Sequence, residues 1–235
     1  MSNTKGILYL LPNTLGSTTD AFATVLSKHI AQQISHYIIE EIKSARRLLR
    51  ALGVAAPFEE FEFYNLNEHT TDAEVLTCIK PLLEGHHMAI ISEAGLPCVA
   101  DPGSNVVKLA HENGIRVVPL SGPSSIMMAL MASGMNGQLF TFNGYLPRER
   151  SERIKKIRQL EQLAIKGHTQ LFMDAPYRNN QVLEDVLANC RMDTRLCIAT
   201  NISCDNEHIT THDITGWHMK KPDLHKQPVM FVLGK

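Results

Sequence analysis

The chain has 235 residues, 44% hydrophobic and 20% charged, enough apolar content to build a core without a disulfide or metal staple. Its formal net charge of −1 excludes a global field drawing it onto RNA or an anionic membrane, so any basic surface must be local. Five scattered cysteines (Cys78, Cys98, Cys190, Cys197, Cys204), with no C-x-x-C, read as the reduced thiols of a cytoplasmic protein.

The first apolar run, LYLL at 8–11, is too short for a signal peptide or a membrane span, so a soluble protein inside the cell is expected. The run belongs to a strand at 7–11 that ends in a Pro-Asn turn. A helical pattern at 20–34 follows, then alternating strands at 37–39, 60–64, 88–92 and 116–119 and helices at 44–52, 72–84 and 104–113. The segment PLSGP at 119–123 is turn chemistry and a boundary, giving an N-terminal domain at 1–119 and a C-terminal domain at 120–235. Beyond it the pattern predicts helices at 124–132, 152–166 and 180–190 and strands at 139–142, 170–173 and 195–200. A stretch without an obvious helix, 201–227, precedes a last strand at 229–233. Runs such as MAII, apolar on both faces, indicate parallel sheets covered by helices. The change of rhythm after residue 196 points to antiparallel strands and a mixed second sheet. The fold class is therefore α/β, in two domains.

No G-x-x-x-x-G-K-[ST], no G-x-G-x-x-G after the first strand and no G-x-S-x-G is present. The informative stretch is SEAGLPCVADPG at 92–103, which follows MAII and so lies at the carboxyl end of a buried strand, where open α/β sheets bind ligands. Gly95 permits positive φ and close approach, Pro97 fixes φ, and Glu93 and Asp101 offer carboxylates to a ribose hydroxyl or an ammonium group. The plainer reading is a strand-to-helix connection with Asp101 capping the helix ahead of Pro102. A second cluster, VVPLSGPSSIMMALMASG at 117–134, places Ser124 and Ser125 in a first helical turn with unpaired N–H groups, while Met127, Met128 and Met131 read as packing.

Other groups have bland readings. His86-His87 is a solvated turn, and His208 and His212 sit in extended rather than helical sequence, so no metal site is expected. The most basic stretch, Arg148, Arg150, Arg153, Lys155, Lys156 and Arg158, is either a solvated helix face or a set of phosphate contacts. Arg178, after Ala175-Pro176-Tyr177, either points to a cleft or caps a sheet edge.

Together SEAGLPCVADPG and PLSGPSS resemble the tetrapyrrole (corrin/porphyrin) methylase superfamily, nearest its branch that methylates a ribose hydroxyl of small-subunit ribosomal RNA. LYLLPNTLG, EEIK at 40–43, NEH at 67–69, FNGYLPRER at 142–150 and LFMDAPYR at 171–178 extend the resemblance over almost the whole chain. The branch's P-T-P-I-G-N, E-D-T-R and R-E-L-T-K are here PNTLGS, EEIK and TNISC, and its additional C-terminal segment is not matched.

The resemblance implies S-adenosylmethionine as methyl donor, held in a cleft between the two domains without a metal. Gly95, Pro97 and Asp101 match the first cofactor loop and Ser124 and Ser125 the second, while the backbone near Met173 and Ala199 frames the adenine. If the acceptor is a hydroxyl, Glu40, Glu93 and Asp101 are the candidate general bases, with Arg148, Arg150 and Arg178 on the substrate side. A homodimer acting on ribosomal RNA or the small ribosomal subunit, with no membrane partner, is the expectation. Carbon methylation of a corrinoid or porphyrinoid, and a cofactor-binding homologue without activity, are the alternatives.

Overall fold

The structure, a computed structural model, describes residues 4–16, 23–67 and 69–235. The start of the helix expected at 20–34, Ser17 of the first loop and Glu68 of the NEH segment lie outside the described residues. The chain divides into two compact units, one ending at Ser124 and one beginning at Ser125.

The first unit is a five-stranded sheet in the order β3-β2-β4-β1-β5, parallel throughout. Its strands are β1 (Ile7–Leu11), β2 (His36–Ile39), β3 (Glu62–Asn65), β4 (Met88–Ile91) and β5 (Arg116–Pro119), alternating with α1 (Val25–Gln33), α2 (Ile42–Ala51), α3 (Asp72–Leu83) and α4 (Gly103–Glu112). The steps through α1 and α2 run toward the β3 edge, and those through α3 and α4 toward the β5 edge. Right-handed crossovers therefore put the two pairs on opposite faces. The core agrees. Ile30, Ala31, Ala45, Leu48 and Leu49 pack on Tyr37, Ile39, Ala89 and Ile91. On the other face Val75, Ile79, Leu82, Val106 and Ala110 meet Leu8, Ile38, Met88 and Ile90. Residues 120–124 pack with this unit rather than with the second, because Leu120 N–H continues the ladder to Leu10 O at 3.0 Å and Gly122 lies against Pro12.

The second unit is a mixed sheet in the order β6-β7-β10-β8-β9. Only β6 (Phe140–Tyr145) and β7 (Thr169–Met173) are parallel, joined through α6 (Arg150–Ile165). The strands β8 (Arg195–Thr200), β9 (His208–Asp213) and β10 (Val229–Gly234) complete it in antiparallel fashion. α6 and α7 (Asn179–Asn189) cover one face, with Ile157, Leu160, Val182 and Val186 on the stacked pair Phe172–Phe231, whose rings are 5.3 Å apart. α5 (Ser125–Ser133) runs beside β8, β9 and β10. The segment expected to lack a helix contains one, α8 (Ile214–Met219). Asp213 caps it by accepting from Gly216 N at 2.7 Å, and Trp217 anchors it through a bond from Nε1 to Leu196 O at 2.8 Å. No described helix is long and apolar enough to cross a membrane.

Candidate active site

In the first unit β2 and β4 are neighbours, yet the chain leaves β2 toward one edge of the sheet and β4 toward the other. Such a divergence opens a crevice between the loops at the carboxyl ends of the two strands. Here it is a small cavity of about 10 Å³, lined by Ile39, Glu40, Leu66, Ser92, Asp101 and Gly103 among others.

Three loops meet at this edge. The loop after β1 is pinned by Asn13, a buried amide that sequence reasoning passed over. Its Nδ2 lies 2.9 Å from Ser44 Oγ, Ser92 O and Glu93 O, and its own N–H bonds Gly95 O at 2.9 Å. Gly95 N–H returns a bond to Thr14 O at 3.2 Å, so the β1 and β4 loops are laced together. The sequence signal was present in PNTLGS, where a polar residue with two donors follows an apolar strand. Its partners, 31 to 80 residues away, were not.

The β4 loop takes its shape from Asp101. One carboxylate oxygen accepts from Cys98 N and Gly103 N, both at 2.8 Å, and the other from Cys98 N at 2.9 Å. These bonds hold Cys98 and Ala100 at φ 68° and 60°, a left-handed region that side-chain-bearing residues rarely occupy. Burial pushes the Asp101 carboxyl above its usual range against those hydrogen bonds, and burial with the Asp101 charge pushes the Cys98 thiol up to about 12. Asp101 thus shapes the loop rather than capping α4, whose N-cap is Pro102. Gly95 and Pro97 are buried in the same loop, and Ser124 is half-buried at the end of the third, ahead of Ser125 at the start of α5.

Glu40 follows β2 and accepts from Glu93 N at 3.1 Å. Burial pushes its carboxyl up, the bond from Glu93 N opposes this, and the nearby Asp101 and Glu93 carboxylates add to the rise. The Glu93 side chain is exposed. Thus Glu40, Glu93 and Asp101, scattered over 60 residues, come to one edge, where Glu40 and Asp101 both line the crevice with raised proton affinity and Asp101 is engaged by the bonds from Cys98 and Gly103.

The remaining expected site residues belong to the second unit. Met173 ends β7, Ala199 is buried in β8, and both stand opposite Met230 across the sheet. The three arginines expected on the substrate side differ in their surroundings. Arg178 is 11% exposed and donates through Nε to Asp174 Oδ1 at 2.7 Å and through Nη2 to Asp174 Oδ1 and Leu146 O. It braces the chain after β7. Arg150 is exposed but bonds Asp185 Oδ1 at 3.0 Å, and Arg148 is exposed. Arg153, in the same basic stretch, is buried on Asp185. No group of three His, Cys, Asp or Glu side chains among the described residues is arranged to hold a metal.

Gly95 carries a prediction. At φ +70° a β-branched residue is strained, and a Cβ would stand 3.1 Å from Leu15 Cδ2. Gly95→Val is therefore expected to lower stability by about 1–2 kcal/mol for the left-handed backbone and to open the lacing to the β1 loop. Thermal denaturation and calorimetric titration with the methyl donor read both effects; a variant with the parent's melting temperature and donor affinity would show the loop to be a passive connector.

A sequence profile of the Tetrapyrrole (Corrin/Porphyrin) Methylases matches residues 19–215. The protein called Ribosomal RNA small subunit methyltransferase I in Haemophilus influenzae is 30% identical over 239 residues, covering 100% of this chain and 81% of that protein. Among solved structures, the methyltransferase CobJ has a TM-score of 0.66 at 14% identity, covering 98% of this chain and 94% of that one. Uroporphyrin-III C-methyl transferase from Thermus thermophilus, complexed with S-adenyl homocysteine, gives 0.59 at 16%, covering 98% of each chain. At these identities the structural likeness is one of fold, and it agrees with one all-parallel and one mixed sheet. The profile covers the loops of Gly95 and Gly122, and the relative spans the whole chain: the chain belongs to the tetrapyrrole (corrin/porphyrin) methylase family.

Proposed function

We propose that this protein transfers the methyl group of S-adenosylmethionine to a ribose 2′-hydroxyl of small-subunit ribosomal RNA. The observation that carries the reading is the convergence of three strand-to-helix loops and Glu40 at one sheet edge. It is supported by similarity along the whole chain to the Haemophilus influenzae ribosomal RNA methyltransferase. The loops suit the donor chemically. A ligand with a sulfonium and an ammonium group complements an edge bearing Glu40, Glu93 and Asp101, and Gly95, with no side chain, lets its loop pack closely against the loop after β1. The residues that would hold it here are the 95–101 loop and Ser124.

When bound, S-adenosylmethionine supplies an electrophilic methyl group on a good leaving group. The protein's own contribution is orientation, worth about 7–11 kcal/mol when reacting atoms are well aligned, and proton transfer. Glu40 takes the hydroxyl proton, its raised proton affinity matching that task. The acceptor nucleotide enters beside it. Asn65 of β3 pairs in register with Ile39, the residue before Glu40, and opens onto a groove of about 530 Å³ lined by Phe63, Tyr64, Asn67 and His69. That volume lies in the range of small-ligand pockets.

The donor is expected to stabilise the protein by about 2.7 kcal/mol at a hundredfold excess over its Kd, since it binds the native state alone. Labelled methyl from that donor should enter small ribosomal subunits lacking the modification and should not enter tetrapyrroles. Label in tetrapyrroles alone would overturn the acceptor, and absence of calorimetric donor binding would overturn the methyltransferase reading.

A further inference from the structure

The basic stretch at 148–158, read as either a solvated helix face or a set of phosphate contacts, is paired in part. Arg150 and Arg153 share Asp185, Lys155 lies 4.0 Å from Glu152, and Arg158 donates to Asn189. α2 is the opposite case. Its ten residues, IKSARRLLRA, include Lys43, Arg46, Arg47 and Arg50, all exposed, and no acidic residue. Among the described residues none forms an ion pair with Lys43, Arg46 or Arg47. Glu41 caps the helix, accepting from Lys43 N at 2.8 Å and Ser44 N at 2.6 Å, and its charge also feels those of Lys43 and Arg47 without an ion pair to either.

This arrangement works against the helix. Lys43–Arg47 and Arg46–Arg50 are like charges four residues apart, and such pairs repel on a helix surface. Lys43 also sits in the first turn, where the helix dipole disfavours a cation. Folding accounts for Arg50, which stands in the last turn and donates to backbone carbonyls, but leaves Lys43, Arg46 and Arg47 without an ion pair among the described residues, an arrangement that suits a polyanion. Their place is equally specific. α2 begins two residues after Glu40, so Lys43 and Arg47 rise from the same sheet edge as the crevice. Two of the arginines are held by aromatic rings. The Arg46 guanidinium lies 5.2 Å from the Phe58 ring centroid and 5.7 Å from that of Phe63, which lines the neighbouring groove. Arg50 lies 4.1 Å from Phe58 and donates to Val54 O and Ala56 O. Stacking over a ring orients a guanidinium.

We propose that the exposed face of α2, through Lys43, Arg47 and the ring-held Arg46, binds the phosphate backbone of the acceptor RNA and presents its ribose to Glu40. This rests on the RNA reading above, and the test separates the two. An in vitro transcript of small-subunit ribosomal RNA is titrated with the protein over a range of salt concentrations. The double variant Lys43→Gln/Arg47→Gln is compared with a charge-matched control, Lys80→Gln/Lys108→Gln, whose lysines face Glu84 and Glu112 on α3 and α4. Each phosphate contact contributes about 0.7–0.9 to the slope of log affinity on log salt, so loss of two should flatten it by about 1.4–1.8. The control should keep the parent's slope. The double variant should keep its donor affinity and melt no lower than the parent, since it loses a repulsion. A parent that binds with a steep slope unaltered in the double variant would overturn the assignment to α2 and leave RNA as the acceptor. A parent with no salt-dependent binding would overturn the RNA reading, and this inference with it.

Discussion

Replacing Asp185 by alanine is expected to lower stability by about 3–5 kcal/mol, the cost of leaving a buried charge without its partner. The Asp185 side chain is 2% exposed and that of Arg153 4%. Asp185 Oδ2 accepts from Arg153 Nε at 2.8 Å and lies 2.7 Å from Nη2, while Arg153 Nη1 reaches Arg148 O at 3.0 Å. The pair ties α6 to α7 over the second unit's core, so its loss should drop the melting temperature by roughly 10 °C or more. Thermal denaturation of Asp185→Ala beside Asp185→Leu/Arg153→Met separates two explanations. An apolar pair of similar bulk avoids the orphaned charge and should restore most of the loss. A double variant as unstable as the single would mean that helix packing, not desolvated charge, is at stake.

Glu40→Gln should divide catalysis from stability. The amide keeps an oxygen to accept from Glu93 N but cannot take a proton. kcat is expected to fall by about 10²-fold, the lower end of the range for general bases, because a sulfonium leaves readily. Donor affinity should change little. The stability effect has the opposite sign. A carboxyl whose proton affinity is higher folded than unfolded binds more protons in the native state between the two pKa values. Stability therefore declines as pH rises through that window and stays lower above it. Glu40→Gln removes the decline, so the variant should match or exceed the parent's melting temperature at neutral pH, and the difference should close below about pH 4, where the unfolded carboxyl is protonated too. In the parent, kcat should fall on the acid side as Glu40 protonates. An undiminished kcat would leave the hydroxyl proton to solvent.

Strands such as β4 and β8 could be read from sequence because burial on both faces leaves continuous apolar runs, and three strands among the described residues have the expected bounds, Ile7–Leu11, Arg116–Pro119 and Arg195–Thr200. Where bounds moved, a local feature explains it. β6 continues past Phe142 to Tyr145 because Gly144, at φ +64°, absorbs a shift in register against β7. α8 escaped notice because a six-residue helix shows no period and depends on its Asp213 cap and on Trp217 reaching β8. The site was legible as loops but not as partnerships. Asp101 could be seen as either ligand group or cap, and the bonds from Cys98 and Gly103 show it shaping the loop ahead of α4, whose N-cap is Pro102. Arg153 looked like surface because its neighbours in sequence are charged, and its partner lies 32 residues on, in another helix. The basic face of α2 was hidden for the converse reason. Four cations over eight residues do not stand out in a string until the structure shows no ion pair to Lys43, Arg46 or Arg47 among the described residues.

β10 is the latest strand in the sequence and stands in the middle of its sheet, between β7 and β8, with all six residues buried. During synthesis, then, the first unit has its full sheet in hand while the second waits. The ribosome must still add residues 201–234 after β8 is made, which takes roughly 2–7 s at 5–20 residues per second. For that interval β7 and β8 each present an open hydrogen-bonding edge in an apolar setting, the template for pairing with a foreign strand. A stop codon before Val229 would make the condition permanent. The nascent second unit is thus where a chaperone would be needed, and a ribosome stalled late in the message would expose an aggregation-prone half-sheet beside a finished domain.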